Sequence, residues 1–270
     1  MHFFSIFRRF LLLAVLILTL LTTRAITHAD TVSSWYKPGI DITWQWQLEG
    51  KINPNYAVDI YDIDLFDTPA GTIASLKASG KKVLCYFSAG SSENWRPDFT
   101  KFSAASLGKK NGWAGEKWLD IRSKNVADVM LTRLDLAVKK GCDGVEPDNV
   151  DGFSNKTGFP LKAGDQIVFN RWLAKEAHAR GLTVALKNTG DLANQLVDSF
   201  DLAINEECHA YQECDQLAVF TKQGKPILNA EYKKMSKNKI ENLCKVAVSN
   251  HIQTLILSKQ LNDSRRISCN

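Results

Sequence analysis

The chain alternates between two kinds of segment. Short apolar, β-branched runs recur at residues 42–48 (ITWQWQL), 58–66 (VDIYDIDLF), 82–88 (KVLCYFS), 143–149 (DGVEPDN), 183–188 (TVALKN), 201–206 (DLAINE), 226–232 (PILNAEY) and 254–258 (TLILS). Runs of this length bounded by turn residues predict strands. Helical spacing fills the intervals, most clearly over 126–140, 166–180 and 237–250. In the second of these, Ile167, Phe169, Trp172, Leu173 and Ala177 form one apolar stripe. Gly80, Gly141, Gly181 and Gly224 follow helical stretches, where a left-handed residue ends a helix before the next strand.

Eight strands alternating with helices predict a parallel sheet with right-handed crossovers. A mature length of about 240 residues suits a single α/β domain closed as a (β/α)₈ barrel. The interval between the first two runs is too short for a full helix, so the first β/α unit is expected to be degenerate. An open doubly wound sheet is the structural rival, but neither GxGxxG nor GxxxxGK[ST] occurs to support nucleotide binding.

The N-terminus departs from this rhythm. Arg8 and Arg9 precede an apolar run at 11–21, and Thr27-His28-Ala29 offers a cleavage box, with Ala25 as a second possible site. This is the order of a secretory signal peptide. Eleven residues span roughly 16 Å as a helix, short of a ~30 Å hydrocarbon core, which argues against a retained anchor. Residues 1–29 are therefore expected to be removed, leaving 30–270 as one domain, secreted or periplasmic, with no membrane attachment after cleavage. The 270 residues carry a formal net charge of +5, but Arg8, Arg9 and Arg24 supply three of those charges, leaving +2 on 241 residues. So small a charge is no nucleic-acid footprint. The protein is expected to act as a monomer.

All six cysteines lie in the mature part, an even count that permits disulfides after export. Cys208 and Cys214 flank a short loop that a bridge would brace. Cys85 and Cys142 sit in buried strand-like segments, where free thiols are expected. There is no CxxC pair, and only His178, His209 and His251 remain in the mature chain, so a structural zinc site is not expected.

In a (β/α)₈ barrel the active site gathers at the C-terminal ends of the strands. Those ends are rich in acids: Asp62, Asp64 and Asp67; Glu146, Asp148 and Asp151; Glu206 and Glu207; and Glu231. The opposing cation is Lys187, and Trp44, Trp46, Tyr86, Asn149, Asn188 and Tyr232 stand among them. Carboxylates with aromatic platforms and amides suit carbohydrate chemistry, in which two carboxyls share acid, base and nucleophile duties. The negative excess favours a cationic substrate such as an amino sugar.

Blander readings compete. A strand-end Asp often caps the next helix, a reading level with a cleft role for Asp62 and Asp67. Of the adjacent Glu206 and Glu207, one must face away and be merely solvated. Four acids in nine residues of GCDGVEPDNVDGF are harder to dismiss, and Glu146 and Asp148 share one face of a strand. A non-catalytic glycan-binding protein on a hydrolase fold, and a metal hydrolase using the EPDNVD acids as oxygen ligands, are the alternatives.

The strings WQWQLEGKI, VDIYDIDLFDT, KKVLCYFSAGSSENWRPD, WAGEKWLDIRS, GCDGVEPDNVDGF, ALKNTGDLANQL, FDLAINEECHAYQEC and NAEY, in this order, resemble glycoside hydrolase family 114, the endo-α-1,4-polygalactosaminidase family. The likeness covers nearly the whole mature chain. It implies a (β/α)₈ fold, no cofactor or metal, and cleavage inside α-1,4-linked galactosamine-containing polymers such as the exopolysaccharides of biofilm matrices. It also implies two catalytic acids on the fourth and sixth strands, which fall on Asp148 of EPDNVDG and Glu206 of NEEC. The resemblance further implies retention, with Asp148 as nucleophile and Glu206 as acid/base. The second-strand acids Asp62 and Asp64, and Glu231 of NAEY, then become cleft residues for sugar ammonium groups, with Trp44, Tyr86, Glu146, Asn149, Asp151, Lys187, Asn188 and Tyr232 as further substrate contacts.

Overall fold

The computed structural model describes residues 34–269, so the expected signal peptide lies outside the described residues. The strands, in chain order, are β1 Trp44–Gln47, β2 Ile60–Asp64, β3 Lys82–Ser88, β4 Ser91–Glu93, β5 Leu107–Lys110, β6 Glu116–Leu119, β7 Gly144–Asp148, β8 Thr183–Lys187, β9 Leu202–Glu206, β10 Ile227–Glu231, β11 Ile252–Leu257 and β12 Arg266–Ser268. All eight expected runs contain a strand. β1, β2, β3, β7, β8, β9, β10 and β11 pair in that order, each parallel to the next. β12 adds antiparallel to β11, and β4, β6 and β5 form a separate antiparallel sheet.

Helices Ala70–Ala78, Lys124–Lys140, Ala163–Ala179, Ala193–Leu196, Cys208–Tyr211, Ala218–Lys222 and Lys237–Ser249 fill the later crossovers. Residues 48–59, between β1 and β2, hold turns and bends. Gly141, at φ +86°, ends the helix Lys124–Lys140 in the left-handed conformation that a side chain would resist. Among the described residues no helix is long and apolar enough to cross a membrane.

The sheet is buried on both faces, which is why its strands read as nearly continuous apolar runs. Period-two alternation sorts them into two cores. Inward residues Trp44, Trp46, Ile60, Leu84, Ala185, Leu202, Ile204, Leu228, Ala230, Leu255 and Leu257 pack against one another inside the curled sheet. Outward residues such as Tyr61, Ile63, Val83, Val145, Val184 and Ala203 pack under the helices. The curl brings the two ends of the sheet together through side chains: Trp44 Nε1 donates to the Gln253 carbonyl at 2.9 Å, and Arg266 donates to the Trp44 carbonyl at 3.0 Å. The result is an α/β barrel-type fold.

Three disulfides staple it: Cys85–Cys142, Cys208–Cys214 and Cys244–Cys269. The brace across Cys208 and Cys214 matches expectation. The expectation of free thiols at Cys85 and Cys142 does not hold: the two side chains share the layer between sheet and helices, with Cα atoms 6.1 Å apart, and are bonded.

Candidate active site

The inner face changes character toward the C-terminal strand ends. Above the apolar layer the inward positions become Trp46 on β1, Asp62 on β2, Tyr86 on β3, Glu146 and Asp148 on β7, Lys187 on β8 and Glu206 on β9, with Tyr232 just past β10. β8 lies between β7 and β9, so its terminal lysine reaches carboxylates on both sides. Lys187 Nζ sits 3.0 Å from Glu146 Oε1, 3.3 Å from Asp148 Oδ1 and 3.3 Å from Glu206 Oε2, and its side chain is 1% exposed. It also lies over the Trp46 ring, 4.7 Å from the centroid.

Each of the two outer carboxylates has further donors. Asp148 accepts from the Asn149 N–H at 2.6 Å and from the Tyr86 hydroxyl at 3.3 Å. Glu206 accepts from Asn188 Nδ2 at 2.8 Å and from the Tyr232 hydroxyl, while its own N–H donates to Asn188 Oδ1. Burial raises the Glu206 carboxyl, but the Lys187 charge and these two donors outweigh it and hold the group below its usual range. Burial raises Tyr86 and Tyr232 well above the usual phenol range, with Asp148 and Glu206 respectively as the next causes, so both remain protonated donors.

Three residues directly after these strands adopt the left-handed region: Asn149 at φ 58°, Asn188 at 46° and Glu207 at 59°. The sharp exit lifts the following loop off the barrel mouth and leaves the strand-end side chain facing inward. Such conformations are sparse for residues other than glycine and concentrate at functional sites. The Asn149 turn is held from beneath by Ser88 Oγ, which accepts from Asn149 Nδ2 at 2.9 Å. It also packs so closely on Gly90 that a Cβ there would come within 1.7 Å of the Asn149 carbonyl oxygen.

Glu206 opens into a cavity of about 410 Å³ lined also by Asp151, Asn188, Asp191, Glu207, Glu213, Tyr232 and Lys259, with Trp113, Phe153 and Tyr211 as aromatic walls. Trp113 and Tyr211 are 58% and 65% exposed, far more than packing requires. Burial, with the Asp148 charge behind it, raises Asp151 to about 6.

The expected site residues thus divide. Asp148, Glu206, Tyr86, Glu146, Lys187, Asn188 and Tyr232 converge; Asn149 shapes the turn, Asp151 lines the cavity, and Asp62 lies deep beneath them at 0% exposure. Three stand elsewhere. Trp44 is one layer lower, inside the apolar interior. Asp64 is captured by Arg96, whose Nη1 donates to Asp64 Oδ1 at 3.0 Å, and it also accepts the Phe66 and Asp67 N–H groups. Glu231 faces outward, where it accepts the His209 N–H at 2.9 Å and holds the turn after β9. Trp113, Phe153, Tyr211 and Ser88 are site residues that strand-end reading missed.

No curated protein sequence matches the chain. Among solved structures, the glycoside hydrolase domain of PelA from Pseudomonas aeruginosa shares the fold, with a TM-score of 0.69 over 86% of this chain and 99% of that one at 14% identity. Ega3 of Aspergillus fumigatus, solved in complex with galactosamine, is 42% identical, with a TM-score of 0.82 over 85% of this chain and 96% of that one. The model of glycoside-hydrolase family GH114 matches residues 25–270, and the chain is a glycoside hydrolase belonging to that family.

Proposed function

We propose that this hydrolase is secreted and cuts inside α-1,4-linked galactosamine-containing polysaccharide with retention, using Asp148 and Glu206 on a (β/α)₈ barrel whose first unit lacks its helix. The carrying observation is the shared Lys187 contact. Two approaches of 3.3 Å to one nitrogen put the Asp148 and Glu206 oxygens no more than twice that, 6.6 Å, apart. Retaining enzymes hold their carboxyls about 5–5.5 Å apart, whereas inverting ones leave roughly 6.5–9.5 Å for a water. The ceiling admits the retaining separation and only the lower edge of the inverting one, which favours retention.

In this reading Asp148, beside the Lys187 ammonium, attacks the anomeric carbon. Glu206 protonates the departing glycosidic oxygen, then takes a proton from the water that releases the sugar. Because Lys187, Tyr232 and Asn188 hold Glu206 low, it must gain its proton as the sugar covers it and strips away water, which raises a carboxyl. Cavity acids Asp151, Asp191, Glu207 and Glu213, against the single Lys259, support an ammonium-bearing sugar, and Trp113 and Tyr211 offer ring-stacking faces. Galactosamine in the relative's complex agrees with this choice. The disulfides support an exported protein. A second reading exchanges the roles: the depressed Glu206 carboxyl, fed by Tyr232 and Asn188, has the environment of a nucleophile.

The test is incubation with de-N-acetylated and fully N-acetylated α-1,4-galactosamine polymers, with products read by size and by proton NMR. Mid-chain cuts and an α-anomer formed first are expected, with the acetylated polymer cut more slowly because it lacks the cation. A β-anomer formed first overturns retention, and no cleavage of either polymer overturns the substrate. Azide rescue of Asp148→Ala and Glu206→Ala separates the two role assignments: a β-azide marks the nucleophile variant, an α-azide the acid/base variant.

A further inference from the structure

Beneath the working pair lies a second pair of carboxyls. Asp62 on β2 and Glu146 on β7 lie on either side of β3, both 0% exposed, and none of their four carboxyl oxygens has a hydrogen-bond partner among the described residues, while each bears on the other's charge. The Lys187 ammonium, with three N–H bonds to offer, lies within ion-pair distance of three carboxylates: Glu146, Asp148 and Glu206. Asp62 is not among these ion pairs, and neither its oxygens nor those of Glu146 have a hydrogen-bond donor among the other described residues. Two ionised carboxylates cannot share such a buried site without one taking up a proton.

We propose that Asp62 carries a proton and donates it as a hydrogen bond to Glu146, so that the pair bears one negative charge and fixes the Lys187 ammonium between Asp148 and Glu206. This rests on the reading of Asp148 and Glu206 as the working carboxylates. Asp62 and Glu146 are positioning residues, since both are fully buried, whereas the side chains of Asp148 and Glu206 keep exposure. The proton distribution follows the surroundings: burial, then the Glu146 charge, drives Asp62 well above the usual carboxyl range. Glu146 is raised to about 7, chiefly by burial, while Lys187 pulls it back. The groups facing the pair are Trp46 from β1, Tyr86 from β3, Asp148 from β7, Lys187 from β8, Glu206 from β9 and Tyr232 beyond β10. Asp151 lies further out.

The function of the arrangement is to tune the charge that Lys187 presents. With Glu146 ionised, part of the ammonium's field is spent downward, and less of it falls on Asp148 and Glu206. With that charge deleted, more of the field falls on the working pair, and the Glu206 carboxyl is lowered further.

Three measurements test this. In the purified protein, the carbon-13 carboxyl resonance of Asp62 is expected at its protonated position at pH 7; an ionised Asp62 there overturns the proposal. Asp62→Asn, which keeps a neutral donor, is expected to recover most of the kcat that Asp62→Leu loses; equal impairment of the two overturns it. Glu146→Gln is expected to lower kcat about tenfold or more with KM little changed, and to move the limb of the pH–rate profile that Glu206 sets to lower pH. An unmoved profile overturns the proposal. The resonance needs no turnover, so a protein that cleaves no polymer sinks the functional reading while the spectrum still decides the position of the proton.

Discussion

Arg133 and Lys187 are both buried cations ringed by carboxylates, yet they leave their partners in different states. Arg133, from the helix Lys124–Lys140, grips Asp98 with two parallel bonds of 2.9 Å and donates its third arm to the Ser88 carbonyl at 2.6 Å. Arg96 beside it binds Asp64, Asp67 and Glu93, and both guanidinium groups lie over the Phe66 ring. A planar fork that saturates a carboxylate fixes its position and occupies the lone pairs that chemistry would need. Lys187 is a point charge that touches each carboxylate at one oxygen. The carboxylates above it retain exposure, 18% for the Asp148 side chain and 31% for that of Glu206. The arginine cluster therefore welds the β4–β6 insertion to the barrel, while the lysine cluster opens to the cavity through Glu206 with capacity to spare.

Removing a lysine-cluster carboxylate should stop chemistry without harming the fold. Asp148→Asn and Glu206→Gln are each expected to lower kcat by about 10²–10⁴-fold, with thermal unfolding little changed. Near-normal turnover in either variant would move the catalytic role to a neighbouring acid. The arginine cluster should behave in the opposite way. Arg133→Met leaves Asp98 buried without its partner, at a cost of about 3–5 kcal/mol, which lowers the melting temperature on the order of 10 °C. Turnover by the folded fraction at low temperature should match wild type, and a fall in kcat alone would show that the weld also shapes the site.

The third difference concerns pH. Glu146 is raised from 4.5 to about 7 and Asp151 from 3.8 to about 6, chiefly by burial. A carboxyl raised on folding contributes stability that is fully present below its unfolded value and lost as pH rises through the folded one. Melting temperature should therefore fall as pH climbs from about 4.5 to 7, and Glu146→Gln should flatten that slope. Asp59, Asp120 and Glu206 are lowered on folding and act in reverse, which ends the gain at more acid pH. A flat profile between pH 5 and 7 would contradict the buried carboxyls. The smallest effect belongs to the cavity wall. Trp113→Ala and Tyr211→Ala should each raise KM about two- to tenfold with kcat unchanged, the loss of one stacking face. No change in KM would remove these rings from the polymer's path.

The eight parallel strands were legible because burial on both faces writes apolar, β-branched runs into the sequence. β4–β6 were not: SSE, LGKK and EKWL are short and polar, and packing rather than pattern makes them strands. Within the site, alternation rightly set Glu146 and Asp148 on one face. It also held a warning about Glu231, since Glu231 and Tyr232 are neighbours and cannot both point inward. Asp64 carried no such warning, because its partner Arg96 lies 32 residues further on. The Cys85–Cys142 bridge, closing 57 residues, was equally silent. Asn149 and Asn188 hinted at left-handed exits through their residue type; Glu207 did not.

The seam between β1 and the last strands has a practical consequence for how this enzyme wears out. Backbone ladders join every other pair of neighbouring barrel strands, but here closure rests on Trp44, Arg266 and the Leu261 carbonyl, which accepts from the N–H groups of Leu48 and Glu49. β12 supplies Arg266, and the Cys244–Cys269 bridge ties the segment just past β12 to the helix Lys237–Ser249. The bridge works like the stop at the end of a zip. Under a mild reductant the first wound should open at this edge, exposing residues around 258–269 to a protease while the opposite wall of the barrel, around β7 and β8, stays whole. The same edge is a natural place to lengthen the enzyme's working life.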